Sequence, residues 1–133
     1  MTIAITPGPG LTAAQANANY TALANAIYAS CGYYINTQTT SYTLSGNDLV
    51  TYRNQPVMIN LNCSGANTLT VPTHANVAFP IGTAITVYFS NTGATTIIGS
   101  AGVTVNNAPG LPSFAQYSMR QLVQITTDNW ALI

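Results

Sequence analysis

The stretch ANTLTVPTHANVAFPIGTAITVYFSNTG, Ala66 to Gly93, decides the fold class of this chain. In it Ile85, Val87 and Phe89 recur at every second position, and TLTV at Thr68–Val71 is a second short β-branched run. A period of two puts alternate side chains on opposite faces of an extended strand. Pro72 and Pro80 limit how the flanking strands run, and between them stands the only histidine, His74.

Working outward, the same pattern returns from Tyr33 to the C-terminus in SYTL, VMINLN, TTIIG, GVTV, QLVQIT and WALI. Val57, Ile59 and Leu61 alternate with Met58, Asn60 and Asn62, so one face is apolar and the other partly polar. Turn-forming groups separate the runs: Ser45-Gly46-Asn47-Asp48, Ser64-Gly65, Asn91-Thr92-Gly93, Asn106-Asn107 and Asp128-Asn129. Short strands at such spacing predict a mainly β domain, an antiparallel β-sandwich of jelly-roll type or a barrel. Its outward faces carry Thr, Asn and Tyr, and its edges lack the Lys that protects a monomer from edge pairing. Covering of those edges by oligomerisation is the expectation.

Upstream the character changes. Residues 1–10 hold two Pro-Gly pairs and read as an extended arm. LTAAQANANYTALANAIYASCG, from Leu11 to Gly32, is alanine-rich and free of proline. Thr12 and Gln15 have the spacing of a capping box, and Gly32 is a natural stop, so a single N-terminal helix is expected. Ala16, Tyr20, Leu23 and Ile27 share one of its faces. That face packs on the chain's own sheet or meets other copies. Leu11, Tyr20, Leu23 and Ile27 are the candidate contact residues. The division expected is an attachment and oligomerisation segment over 1–32 and a β domain over 33–133.

Charge excludes more than it suggests. Only 3% of the 133 residues are ionised, Asp48, Arg53, Arg120 and Asp128, and the net charge is zero; soluble domains average about 25%. A free monomer with so little surface charge tends to associate. Two arginines and no lysine give nucleic acid or an anionic membrane nothing to hold. No apolar run approaches the ~20 residues of a membrane span, and MTIAITPGPG lacks the features of a secretory signal.

Candidates for chemistry are few. The two acids, Asp48 and Asp128, both lie in turn sequences, where their carboxylates are expected to bond the local backbone instead of forming a catalytic pair. His74 has no nucleophile elbow or oxyanion loop beside it and reads as a side chain in a strand connection. One His, two distant Cys and two distant Asp form no ligand cluster, so no metal or cofactor is expected, and no enzyme activity. Cys31 and Cys63 read as small buried hydrophobes, and Trp130 as a core anchor. The Thr-rich strands lack a regular Thr-x-Thr ladder at fixed spacing, which argues against ice binding. Exposed Tyr, Asn and Thr leave glycan binding open.

YTL at Tyr42–Leu44, ANTLTVP at Ala66–Pro72, VAFPIGTAITV at Val77–Val87, GVTVN at Gly102–Asn106 and DNWALI at Asp128–Ile133 resemble a β-structured module. That module recurs in tailed-bacteriophage virion proteins: fibres, appendages and head-surface proteins. LTAAQANANY resembles a helix-opening segment found near the start of such proteins. The resemblance implies a homotrimeric structural protein at the virion surface, made in the host cytoplasm, with no catalytic residues. Its partners would be other copies of itself and the major capsid protein or another virion protein. A chain that starts at Met1 and stops just after WALI leaves no room for a shaft and receptor-binding tip. The expectation is therefore a capsid decoration (cement) or head-fibre protein, with a short tail or neck appendage that binds a host glycan as the alternative.

Overall fold

The computed structural model describes residues 10, 12–29, 32–49, 55–107 and 114–133, the side chains of 24–29 excepted. One helix, α1 (Ala13–Ala29), precedes nine strands. These are β1 (Tyr34–Gln38), β2 (Tyr42–Thr43), β3 (Val57–Leu61), β4 (Asn67–Val71), β5 (Ala84–Phe89), β6 (Thr95–Gly99), β7 (Thr104–Asn107), β8 (Ser118–Thr126) and β9 (Asn129–Leu132). The helix opens as expected: the Gln15 amide donates to Thr12 Oγ1 at 3.2 Å and the Thr12 amide to Gln15 Oε1 at 2.8 Å.

The chain is mainly β, but the expected antiparallel sandwich or barrel is not what forms. β1, β3 and β5 pair in parallel in one sheet, and β2, β4 and β6 pair in parallel in a second. Each coil contributes one strand to each sheet, so the chain winds as a short β-solenoid of three coils. Asn67 and Thr95, paired in register on successive coils, are 28 residues apart. The opening stretch, Ala66–Gly93, is therefore one full turn of the solenoid. Alternation of side chains is the same in parallel and antiparallel strands, which is why the period alone led to the wrong pairing.

Stacking turns the alternation into ladders. Ile59 sits on Val87, Leu61 on Phe89 and Val57 on Ile85, all inward and buried. On the second sheet Leu69 stacks on Ile97. Where polar residues enter the interior they pair between coils: Thr95 Oγ1 donates to Asn67 Oδ1 at 2.9 Å, and the Asn67 amide group donates to the Gly65 carbonyl at 3.1 Å. At the turn after β3, Asn91 Nδ2 donates to Asn62 Oδ1 at 3.0 Å.

Close stacking leaves no room at Gly93. Its amide donates to the Cys63 carbonyl at 2.8 Å. A Cβ there would collide with the carbonyl oxygens of both Cys63 and Gly65. Both obstacles are backbone, so no rotamer change relieves them. Gly93→Ala is expected to cost about 1–3 kcal/mol by forcing adjacent coils apart, read as a lower urea midpoint; an unchanged midpoint would show that the coils slide freely here.

The third coil is not followed by a fourth. β8 returns antiparallel to β5, a hairpin leads into β9, and β7 pairs in parallel with the outer edge of β9. The large sheet has the order β1-β3-β5-β8-β9-β7, and the small one β2-β4-β6. Leu122, Trp130 and Leu132 complete the core at this end, with Phe79 edge-on to Trp130 at 5.5 Å between ring centroids. The expectation of Trp130 as a core anchor holds.

Candidate interaction surfaces

The two sheets each present an outward face. On the six-stranded sheet the outward positions form rows across the strands. Ile35, Met58, Thr86 and Gln121 lie in register, and Gln121 exchanges backbone hydrogen bonds with Ile133 at 2.9 and 3.0 Å. The next row is Thr37, Asn60, Tyr88 and Met119. Tyr33, Met58, Thr86, Met119, Arg120, Gln121 and Ile133 line a groove in this face. Tyr33 (48% exposed), Ile35 (49%), Met119 (56%) and Ile133 (64%) are uncovered apolar side chains.

None of the ionised side chains among the described residues stands in those rows. Arg120 shares the inward side of β8 with Leu122, opposite Val87. Its guanidinium carbon lies 5.9 Å from the Phe114 ring centroid, and Nη1 donates to the Met119 carbonyl at 2.9 Å. Phe114 in turn stacks on Phe89 at 4.6 Å. The cation is thus held against aromatic surface at the rim of the core.

The outer face of the three-stranded sheet is narrower. Stacking brings Thr43 beside Thr70, and Thr68 beside Thr96, so a partial threonine ladder exists that the unaligned strands did not reveal. It breaks at Ile98, the partner of Thr70.

The first coil closes the core with polar groups. The inward positions of β1 are Tyr34, Asn36 and Gln38, in line with Val57, Ile59 and Leu61 of the next coil. Across this end lies the 3-10 turn Gly46–Asp48, capped by Ser45. Asp48 is fully buried. Its carboxylate accepts from the Tyr42 hydroxyl at 2.7 Å, from Asn36 Nδ2 at 2.8 Å and from the Ser45 amide at 2.8 Å. The local backbone bond was expected from the turn sequence; the bonds to Asn36 and Tyr42 come from the winding of the coil.

Burial raises the pKa of the Tyr42 hydroxyl above its ordinary 10.0, and the neighbouring Asp48 adds to the shift while the Ser45 bond opposes it. A raised folded-state value means that the fold retains the proton. The Tyr42 contribution to stability is therefore complete below pH 10.0 and is lost as pH climbs through the folded value. Unfolding titrations of the wild type and Tyr42→Phe should show their stability difference shrinking as pH rises above 10.0. A constant difference over that range would remove Tyr42 from the alkaline limit.

Other expected residues are placed as follows. His74 lies in the β4–β5 connection, as expected. Asp128, however, departs from the expected bond to its own turn. Its Oδ1 accepts from the His74 backbone amide at 2.6 Å, and its carbonyl accepts from the Thr104 amide at 2.8 Å. It takes a left-handed conformation (φ 56°) and ties the connection to the capping hairpin. Sequence distance hid this link, since the partners are 54 residues apart. Cys63 is buried and free, with its thiol pushed up by burial; Cys31 and Arg53 lie outside the described residues.

Of the contact residues expected on the helix, Tyr20 is 43% and Leu23 61% exposed, while Ala16 on the same expected face is buried. Leu11 and the side chain of Ile27 lie outside the described residues. Among the described residues α1 shares no extended packing with any strand. Among the described residues no group of His, Cys, Asp and Glu is placed to hold a metal ion, and no helix is long and apolar enough to cross a membrane. Comparison with protein-family models, curated proteins and solved structures finds no match to this chain.

Proposed function

We propose that this chain is a non-enzymatic structural protein of a tailed-phage virion, a homotrimer that decorates the particle as a cement or head-fibre protein. The observation that carries the reading is the pair of sheet faces whose outward rows hold no ionised side chain, in a chain of zero net charge. Such faces gain free energy only when water leaves them, at about 25 cal/mol per Å² of apolar area. They suit lasting contact with other protein surfaces better than turnover of a small substrate. Threonine and asparagine on those faces supply hydrogen bonds that fix the fit. The uncovered Tyr20 and Leu23 on α1 support a contact role for the segment 1–32.

Electron microscopy of intact particles with the chain labelled tests the reading. Density on the capsid lattice in threefold units is the expected result. Label confined to the neck or tail would replace it with the appendage reading, and label on no particle would overturn it. A chain lacking residues 1–32 should fail to join particles. Full decoration by that deletion would remove the role given to the arm and helix. Selective binding on a glycan array would favour a host-recognition module.

A further inference from the structure

We infer that copies of this chain associate with one another through the outer face of the six-stranded sheet, centred on Ile35, Met58, Met119 and Ile133. The inference deepens the proposed reading, on which it rests for the existence of an oligomer, and names the face through which the copies meet.

Size supports it. Six strands at ~4.8 Å spacing, each with about five residues rising ~3.3 Å, make a face of roughly 29 by 17 Å, about 500 Å² in projection. Side-chain relief raises the accessible area toward the ~800 Å² that each partner gives to a standard interface. The three-stranded sheet offers half that width.

Charge selects the occupant. Arg120 borders the groove, but its guanidinium lies against Phe114 on the inward side of β8. A partner bearing Lys, Arg, Asp or Glu at the contact would have to strip water from those groups against rows of uncharged side chains, at a net loss. A second copy presents the same uncharged rows and loses nothing of the kind. Exposed apolar side chains also concentrate here: Tyr33, Ile35, Met119 and Ile133 belong to this face, against Ile98 alone on the outer face of the small sheet. In a trimer each copy turns this face toward its neighbours about the threefold axis, and the unbranched Met58 and Met119 can adjust to the neighbouring rows.

The test is sedimentation and light scattering of the free, full-length chain, without particles. Wild type should be oligomeric at micromolar concentration. Met119→Glu and Ile35→Lys, each placing an unpaired charge in the rows, should weaken association about 100-fold or more. Ile98→Lys on the opposite face should leave it unchanged. A monomeric wild type, or an oligomer dissociated by Ile98→Lys and not by Met119→Glu, overturns the inference. Should either face variant fail to fold, wild type decides: hydrogen peroxide should oxidise Met119 about tenfold more slowly in concentrated than in dilute protein. Equal rates overturn the assignment. Because these readings use free protein, they stand or fall apart from decoration of the particle.

Discussion

Asp48→Ala should destabilise the chain by about 3–5 kcal/mol, the range for breaking a buried, hydrogen-bonded charge site. The carboxylate is fully buried and accepts from the side chains of Asn36 and Tyr42 and from the Ser45 amide. Alanine leaves those donors without their acceptor at the end of the core, and each orphaned group costs about 1–3 kcal/mol. With an m-value of about 2 kcal/mol/M, the urea midpoint should fall by about 2 M. Asp48→Asn keeps one acceptor but turns an NH₂ group toward two donors, so it should fall between alanine and wild type. Asn47→Ala, one position away on an exposed residue, should stay within about 0.5 kcal/mol. A loss below about 1 kcal/mol for Asp48→Ala would show that water, not this carboxylate, satisfies the end of the coil.

The same site explains what was legible in the sequence. Ser45-Gly46-Asn47-Asp48 reads as a turn with a local side-chain bond, and that part is correct because Ser45 and Asp48 are three residues apart. The bond from Asn36 arises only when β1 is laid on β3, a pairing across 23 residues that no local pattern announces. β1 itself escaped notice because its inward positions are polar. YINTQ lacks the apolar alternation of VMINL, since it ends the core instead of filling it. The strands that do fill the core, β3, β5 and β9, stood out clearly.

What failed was the pairing. Parallel coils and antiparallel hairpins demand the same alternation. The deciding signal was instead the repeat that sets Asn67 over Thr95 and Leu69 over Ile97, visible only when the two segments are aligned. The Asp128–His74 link was illegible for a related reason. It depends on the capping hairpin folding back over the β4–β5 connection, a long-range consequence of the winding.

Trp130→Ala should cost about 3–5 kcal/mol at the opposite end of the core, as large aromatic truncations do. Trp130 is 1% exposed, lies between Gln124 of β8 and Val105 of β7, and meets the Phe79 ring at an interplanar angle of 87°. Phe79 comes from the β4–β5 connection, so this edge-to-face contact joins the hairpin to the coils beneath it. Its removal leaves a cavity bounded by strands that are tied to the rest of the sheet and cannot collapse freely. Trp130→Phe retains much of the apolar area and should cost less than half as much. Trp130 is the sole tryptophan. Its emission follows wild-type unfolding directly, and circular dichroism serves the alanine variant. Amide exchange should accelerate most in β7 and β9, which depend on the cap, and least in β3, which lies between two parallel neighbours. Uniform acceleration in all strands would mean that cap and coils unfold as one unit, and that the hairpin is the solenoid's last coil in energetic terms and not a separable lid.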